Sequence, residues 1–262
     1  MSMASLTGID GGLLRRSGVI VTGGSSGLGR ETAILLASAG RPVAVWGTDA
    51  AKARGVAAEC AVLGVTAIGL GVDVGDRDAV AESVAASRAA IGPIGGLACS
   101  AGIIRVGPAG AIDFADWEAM VRVNLNGVAY AMEATLPELR SVGRGASIVV
   151  VASTEAIRGS PILAGYTASK HGVLGLVRSA AGALGREGIR VNALCAGAMD
   201  TPMMRKALAQ AGDEARQQMI AAIPLGYISH PKEVAQVIRF LLSPEASYIN
   251  GAAIPVDGGL TA

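Results

Sequence analysis

"GVIVTGGSSGLG", residues 18–29, decides how this chain folds. Its first part, "GVIVTGG" (18–24), is an apolar β-branched run that ends in glycines, the pattern of a buried strand entering a tight turn. From Leu28 onward, Thr32, Leu35, Leu36 and Ala39 keep a helical spacing of three or four, and Gly40 supplies the stop. A strand passing through glycines into a helix leaves unpaired N–H groups and partial positive charge at the helix start, which suits a pyrophosphate. Gly23, Gly27 and Gly29 allow backbone angles and close approaches that other residues do not.

The same alternation continues outward. "PVAVW" (42–46), "VTAIGL" (65–70), "GLACS" (96–100), "SIVVVA" (147–152), "IRVNAL" (189–194) and "AAIPV" (252–256) read as further strands. Helical stretches lie between them near 49–62, 76–90, 114–139, 165–184 and 231–242. Strands apolar on both faces and separated by helices predict a parallel sheet covered on each side. The expected fold is α/β: a doubly wound Rossmann-type sheet of about seven parallel strands with helices on both faces. No linker or internal repeat divides residues 1–262, which read as one domain. The mixed polar and Met-rich segment 199–223 reads as a helical excursion suited to a lid over a site.

Composition narrows the function. The net charge of +1, without a basic run, argues against nucleic-acid binding. The N-terminal "MSMASLTGIDGGLLRR" lacks the apolar core of a signal peptide, and the stretch 89–104 is too short and glycine-broken to cross a bilayer. Cys60, Cys99 and Cys195, odd in number and scattered, suggest reduced thiols in a cytoplasmic protein. His171 and His230 belong to no ligand-spaced cluster, so no metal site is expected.

"GYTASKHGV" (165–173) sets Tyr166 and Lys170 on one helix face, since positions i and i+4 are neighbours. Ser153 ends a strand, at the sheet edge where α/β ligands bind, and Asn124 lies in the helix before that strand. A phenol with a pKa of about 10 is a poor base at neutral pH. An ammonium about 5 Å away is worth at most roughly 3 kcal/mol, or about two pKa units downward.

The glycine pattern TGxxxGxG, "AG" after the fourth strand, Asn124, Ser153 thirteen residues before Tyr166, and Y-x-x-x-K together resemble the short-chain dehydrogenases/reductases. The likeness runs through "PKEVAQVIRFLLSPEASYINGAAIPVDGG" and covers nearly the whole chain. It implies an NAD(P)-dependent oxidoreductase that interconverts a small secondary alcohol and its ketone. Tyr166 would be the general acid/base, Lys170 its tuner and a ribose ligand, Ser153 a donor to the substrate oxygen, and Asn124 the holder of a relay water. The alternative is a non-catalytic redox sensor of the same fold.

The resemblance also implies a coenzyme site. It comprises Gly23, Ser25, Ser26, Gly27, Leu28 and Gly29 in the first turn, then Asp49, Asp73, Val74, Ala101, Gly102, Gly197, Met199 and Thr201, with Tyr166 and Lys170. Three of these have competing roles: Asp49 and Thr201 as helix starts, and Asp73 as a cap, for which Asp76 is the better choice. The family's usual Asn-Asn-Ala-Gly is here Cys99-Ser100-Ala101-Gly102, and its Pro-Gly is Ala196-Gly197. Gly47 stands where an NAD-pairing acid is usual, but no Arg or Lys occupies that corner and Ser26 replaces a basic residue common in NADP users. NAD(H) is favoured, with Lys52 and Arg54 leaving NADP(H) open. Ile157, Pro161, Ile162 and Leu163 suggest an apolar pocket for a cyclic ketone, whereas Arg105 could meet a sugar acid. The small-residue stripe Ala168, Gly172, Gly175 and Ser179 suggests helix pairing in a homotetramer.

Overall fold

A computed structural model describes residues 17–262; the N-terminal stretch read for a signal peptide lies outside the described residues. Seven strands form one sheet in the order β3-β2-β1-β4-β5-β6-β7. They are β1 (Gly18–Thr22), β2 (Val43–Gly47), β3 (Ala67–Gly71), β4 (Ile94–Cys99), β5 (Ser147–Val151), β6 (Arg190–Ala196) and β7 (Ala253–Val256). Every pairing is parallel. The winding reverses between β1 and β4, so a crevice opens there at the C-terminal edge of the sheet, where such folds bind ligands.

Helices α1 (Gly27–Ser38), α2 (Ala50–Val62) and α9 (Pro231–Leu241) serve one face; α3 (Arg77–Ile91), α5 (Gly127–Val142) and α6 (Ala164–Leu184) serve the other. The alternation of β1 explains why both faces need cover. Val19 and Val21 belong to the buried cluster that holds Leu36, Ile238 and Leu241, while Ile20 belongs to the one that holds Val80, Leu139 and Val177. All three β1 residues are fully buried, which an alternating half-polar strand could not sustain.

Three expectations about elements change. The helix expected over 114–139 is α4 (Phe114–Met120), a π-helical turn (Val121–Asn126) and α5. Within it the Gly127 N–H reaches back to the Arg122 carbonyl, one residue beyond the α-helical partner. Apolar spacing runs on across that turn and conceals the inserted residue. The segment 199–223 is two helices, α7 (Pro202–Ala211) and α8 (Asp213–Ala222), broken at Gly212, whose φ is +88°. Finally, β4 starts at Ile94, because Gly95 and Gly96 extend the buried strand instead of forming a turn.

Candidate active site

The turn after β1 is a backbone cradle. Gly23 and Gly27 take φ of +63° and +52°, and a Cβ on Gly29 would lie 2.3 Å from the Gly23 carbonyl oxygen. Ser26 occupies the cap position of α1 but is exposed and makes no side-chain cap bond, and the first turn carries no acid. The helix N-terminus therefore keeps its N–H groups for an anion. Ser25 packs against Gly47, where an added Cβ would meet its Oγ at 2.4 Å; Leu28 is buried and can offer only backbone.

Across the crevice, the "CSAG" turn finds its brace in Thr22. The Ala101 N–H donates to Thr22 Oγ1 at 3.1 Å and the Ser100 N–H to the Thr22 carbonyl at 3.2 Å. Gly23 presses on Ala101, where a Cβ would approach its Cα to 2.7 Å. Gly102 sits so that an added Cβ would lie 3.3 Å from Asn124 Oδ1 and 3.6 Å from Lys170 Nζ. Loop, π turn and α6 thus converge at one point.

Ser153 follows β5 and starts a 3-10 turn, Thr154–Ala156, with its Oγ accepting from the Glu155 N–H at 3.1 Å. The Tyr166 phenol lies close enough to Ser153 to feel the pull of its hydroxyl. Lys170 is buried and donates to the Val151 carbonyl at 2.8 Å, with Nζ 5.7 Å from the centre of the Tyr166 ring. Tyr166, Ser153 and Lys170 therefore meet in three dimensions, the first and last by helical spacing and Ser153 as the family resemblance implied.

Their electrostatics differ from the expectation of a phenol lowered by lysine. Burial raises the Tyr166 pKa above its ordinary value, against the pull of the Ser153 hydroxyl, and the negative Glu155 raises it further. Burial also lowers Lys170 to about 8. Both groups pay for desolvation before any positive coenzyme charge is present.

Asn124 is fully buried and makes its own set of bonds. Its Oδ1 accepts from the Ile103 N–H at 2.8 Å, and its Nδ2 donates to the Ile103 carbonyl at 2.9 Å and to Ser169 Oγ at 3.1 Å. Ser169 in turn donates to the Tyr166 carbonyl at 2.7 Å. With both amide N–H groups engaged, the side chain is a brace between the loop after β4 and the Tyr166 helix. Ser169 was missed because a lone serine inside a helix pattern carries no signal.

A family model described as enoyl-(acyl carrier protein) reductase matches residues 23–261. The chain is 38% identical to levodione reductase of Leifsonia aquatica, over 93% of this chain and 94% of that protein. This chain belongs to the short-chain dehydrogenase/reductase family. It is also 38% identical to cis-4-hydroxycyclohexanecarboxylate dehydrogenase of Sinomonas cyclohexanicum, over 93% of this chain and 96% of the relative. The crystal structure of levodione reductase superimposes with a TM-score of 0.88 at 34% identity, covering 93% of this chain and 97% of that one. This short-chain dehydrogenase/reductase is an NAD(P)-dependent oxidoreductase that interconverts a secondary alcohol and its ketone.

The remaining positions of the dehydrogenase/reductase divide between ligand-ready and structural. Asp49 caps α2, accepting from the Lys52 N–H at 3.0 Å and pairing with Lys52 Nζ at 3.4 Å. Asp76, not Asp73, caps α3. Asp73 accepts from the Gly75 N–H at 2.9 Å and from Arg122 in the π turn at 2.8 Å. Val74 is buried against Gly127, so only its backbone is available. Thr201 caps α7 and rests on Gly27, whose added Cβ would lie 3.2 Å from Thr201 Cγ2. Gly197 packs on Asp257, and Met199 bridges to Ser229.

Arg105, weighed above as a ligand, is paired with Asp116 at 3.4 Å, and Arg158 is paired with Glu155 at 3.0 Å. His230 caps α9 and His171 bonds the Thr167 carbonyl; among the described residues no group of acids, histidines or cysteines could hold a metal. All three cysteines are buried, and burial pushes Cys99 up to about 12, which makes it a poor nucleophile. Among the described residues, no helix is long and apolar enough to cross a membrane.

Proposed function

We propose that this enzyme oxidises a secondary alcohol on an apolar or six-membered ring, or reduces the ketone, with Tyr166 moving the proton and NAD(H) preferred. The observation that carries the reading is the convergence of Ser153, Tyr166 and Lys170 beside a glycine cradle that a Cβ at residue 29 would fill. A nicotinamide dinucleotide fits that cradle and, when bound, gives hydride to a carbonyl or takes it from a carbinol.

The chain's own residues do the rest. The α1 N-terminus holds the pyrophosphate through backbone N–H groups. Ser153 donates to the substrate oxygen and Tyr166 gives or takes its proton. Lys170, held by Val151, keeps an ammonium beside the phenol and in reach of the ribose. Asn124 holds Ile103 and Ser169 so that the loop and the Tyr166 helix keep their distance.

Asp49 at the end of β2, with no cation at Ser26, favours an unphosphorylated ribose. Exposed Ile157, Ile162 and Met203 give the mouth apolar walls, and α7–α8 covers it as a lid hinged at Gly212. Similarity to a dehydrogenase named for a cyclohexane-ring alcohol supports that choice of substrate. A homotetramer in the cytoplasm, paired through the stripe on α6, completes the reading. Fluorescence titration with NADH and NADPH, then a panel of ring alcohols followed by nicotinamide absorbance, tests it. Tight NADH binding with turnover is expected; coenzyme binding without turnover of any alcohol contradicts it.

A further inference from the structure

Glu155 lies two residues beyond Ser153 and is used by none of the chemistry above. Its side chain is only 9% exposed, although the 3-10 turn carrying it packs on α6. Arg158, 43% exposed, takes one oxygen: Nε and Nη2 reach Oε1 at 3.1 and 3.0 Å. The other oxygen, Oε2, is buried and has no hydrogen-bond partner among the described residues. A buried carboxylate oxygen left without a donor is costly, and a chain could have avoided it with an apolar residue here. The negative charge is near enough to the Tyr166 phenol to raise its pKa.

We propose that Oε2 of Glu155 receives a second hydrogen-bond donor on the substrate, so that the preferred substrate is a ring diol or hydroxyketone and not a simple ring alcohol. Glu155 then orients the ring while Ser153 and Tyr166 engage the reacting oxygen. This rests on the oxidoreductase reading and adds a substrate class to it. A site built to accept from a hydroxyl discriminates strongly against an analogue lacking one, because the buried acceptor is then left unmet. Arg158 neutralises the carboxylate from the solvent side but offers no donor to Oε2. The competing use of Oε2 is a bond to a buried water.

The test compares kcat/KM for cyclohexanol and for the cyclohexanediol isomers with saturating NAD, in wild type, Glu155→Gln and Glu155→Met. Wild type is expected to prefer at least one diol by on the order of tenfold or more, the scale of a charge-assisted hydrogen bond. Both variants should lose that preference. Glu155→Gln keeps the shape and the Arg158 contact, so it decides the matter if Glu155→Met does not fold. The ratio between substrates cancels any change in the phenol's own pKa. Equal losses on cyclohexanol and diol, or a wild type that prefers no diol, would overturn the proposal and leave Glu155 structural. A wild type that binds coenzyme but turns over no alcohol would instead sink the reaction class, and this inference with it.

Discussion

The two edges of this one parallel sheet both bury charge, and they treat it differently. At the edge where β1 and β6 begin, Arg41 donates to the carbonyls of Ser17, Gly18 and Leu242 and to Ser17 Oγ, at 3.1 to 3.5 Å. Arg190 donates to the carbonyls of Ser243 and Ile249, leaving only Nε without a partner among the described residues. Burial brings both guanidinium groups down to about 10, so both stay charged and act as pins between strands and the C-terminus of α9. At the opposite edge, Lys170 donates to the Val151 carbonyl, and Glu155 leaves an oxygen unmet among the described residues. The arginines pin the fold through bonds to several chain segments, whereas Lys170 and Glu155 put their charge beside the Tyr166 phenol.

The largest effect that would sharpen this contrast is Lys170→Met, expected to lower kcat by about a thousandfold. Stability should move the other way. Holding Lys170 at about 8 instead of 10.5 costs the folded state about 3 kcal/mol at pH 7. Between those values the unfolded chain binds a proton that the folded chain does not, so this penalty shrinks as pH rises and is full below pH 8. After about 1 kcal/mol for the lost bond to Val151, the variant should be about 2 kcal/mol more stable at pH 7. Urea melts at pH 7 and near pH 10 should show that gain and then its loss; a variant that is simply destabilised at both would break the contrast.

Arg41→Met gives up four bonds instead of one, about 4 kcal/mol against a similar desolvation cost of about 3, so it should lose about 1 kcal/mol of stability, with kcat per folded molecule unchanged. Denaturant melts and active-site titration measure both. Gly29→Ala should weaken NADH binding by roughly tenfold or more, because the new methyl collides with the Gly23 carbonyl in the cradle. Arg77→Ala, which breaks an exposed pair with Glu133, belongs to neither edge and should cost under about 1 kcal/mol.

Much of this was legible because it is local. The turn from β1 to α1 is written in glycines, and Tyr166 and Lys170 share a face by helical spacing alone. Ser153 could be placed because strand ends mark the ligand edge of such sheets. What could not be read depends on partners distant in sequence. The π turn keeps the apolar rhythm of its neighbours, so the helix looked continuous through Asn124, and that residue's bonds to Ile103 and Ser169 exist only in the folded chain. The Tyr166 pKa rises because burial outweighs the pull of Ser153, and no spacing rule reports burial. Glu155 was passed over because an acid in a short turn reads as solvated until the packing of α6 is known.

The central claim is that the Tyr166 phenol carries the proton, and the pH dependence of kcat/KM for alcohol oxidation in wild type and Tyr166→Phe tests it most directly. Wild-type activity should rise with pH as the phenol ionises. The Phe variant should bind NADH as wild type does, yet fall by on the order of a thousandfold and lose that rise. A variant that keeps both the rate and the pH dependence would place the proton elsewhere and contradict the account.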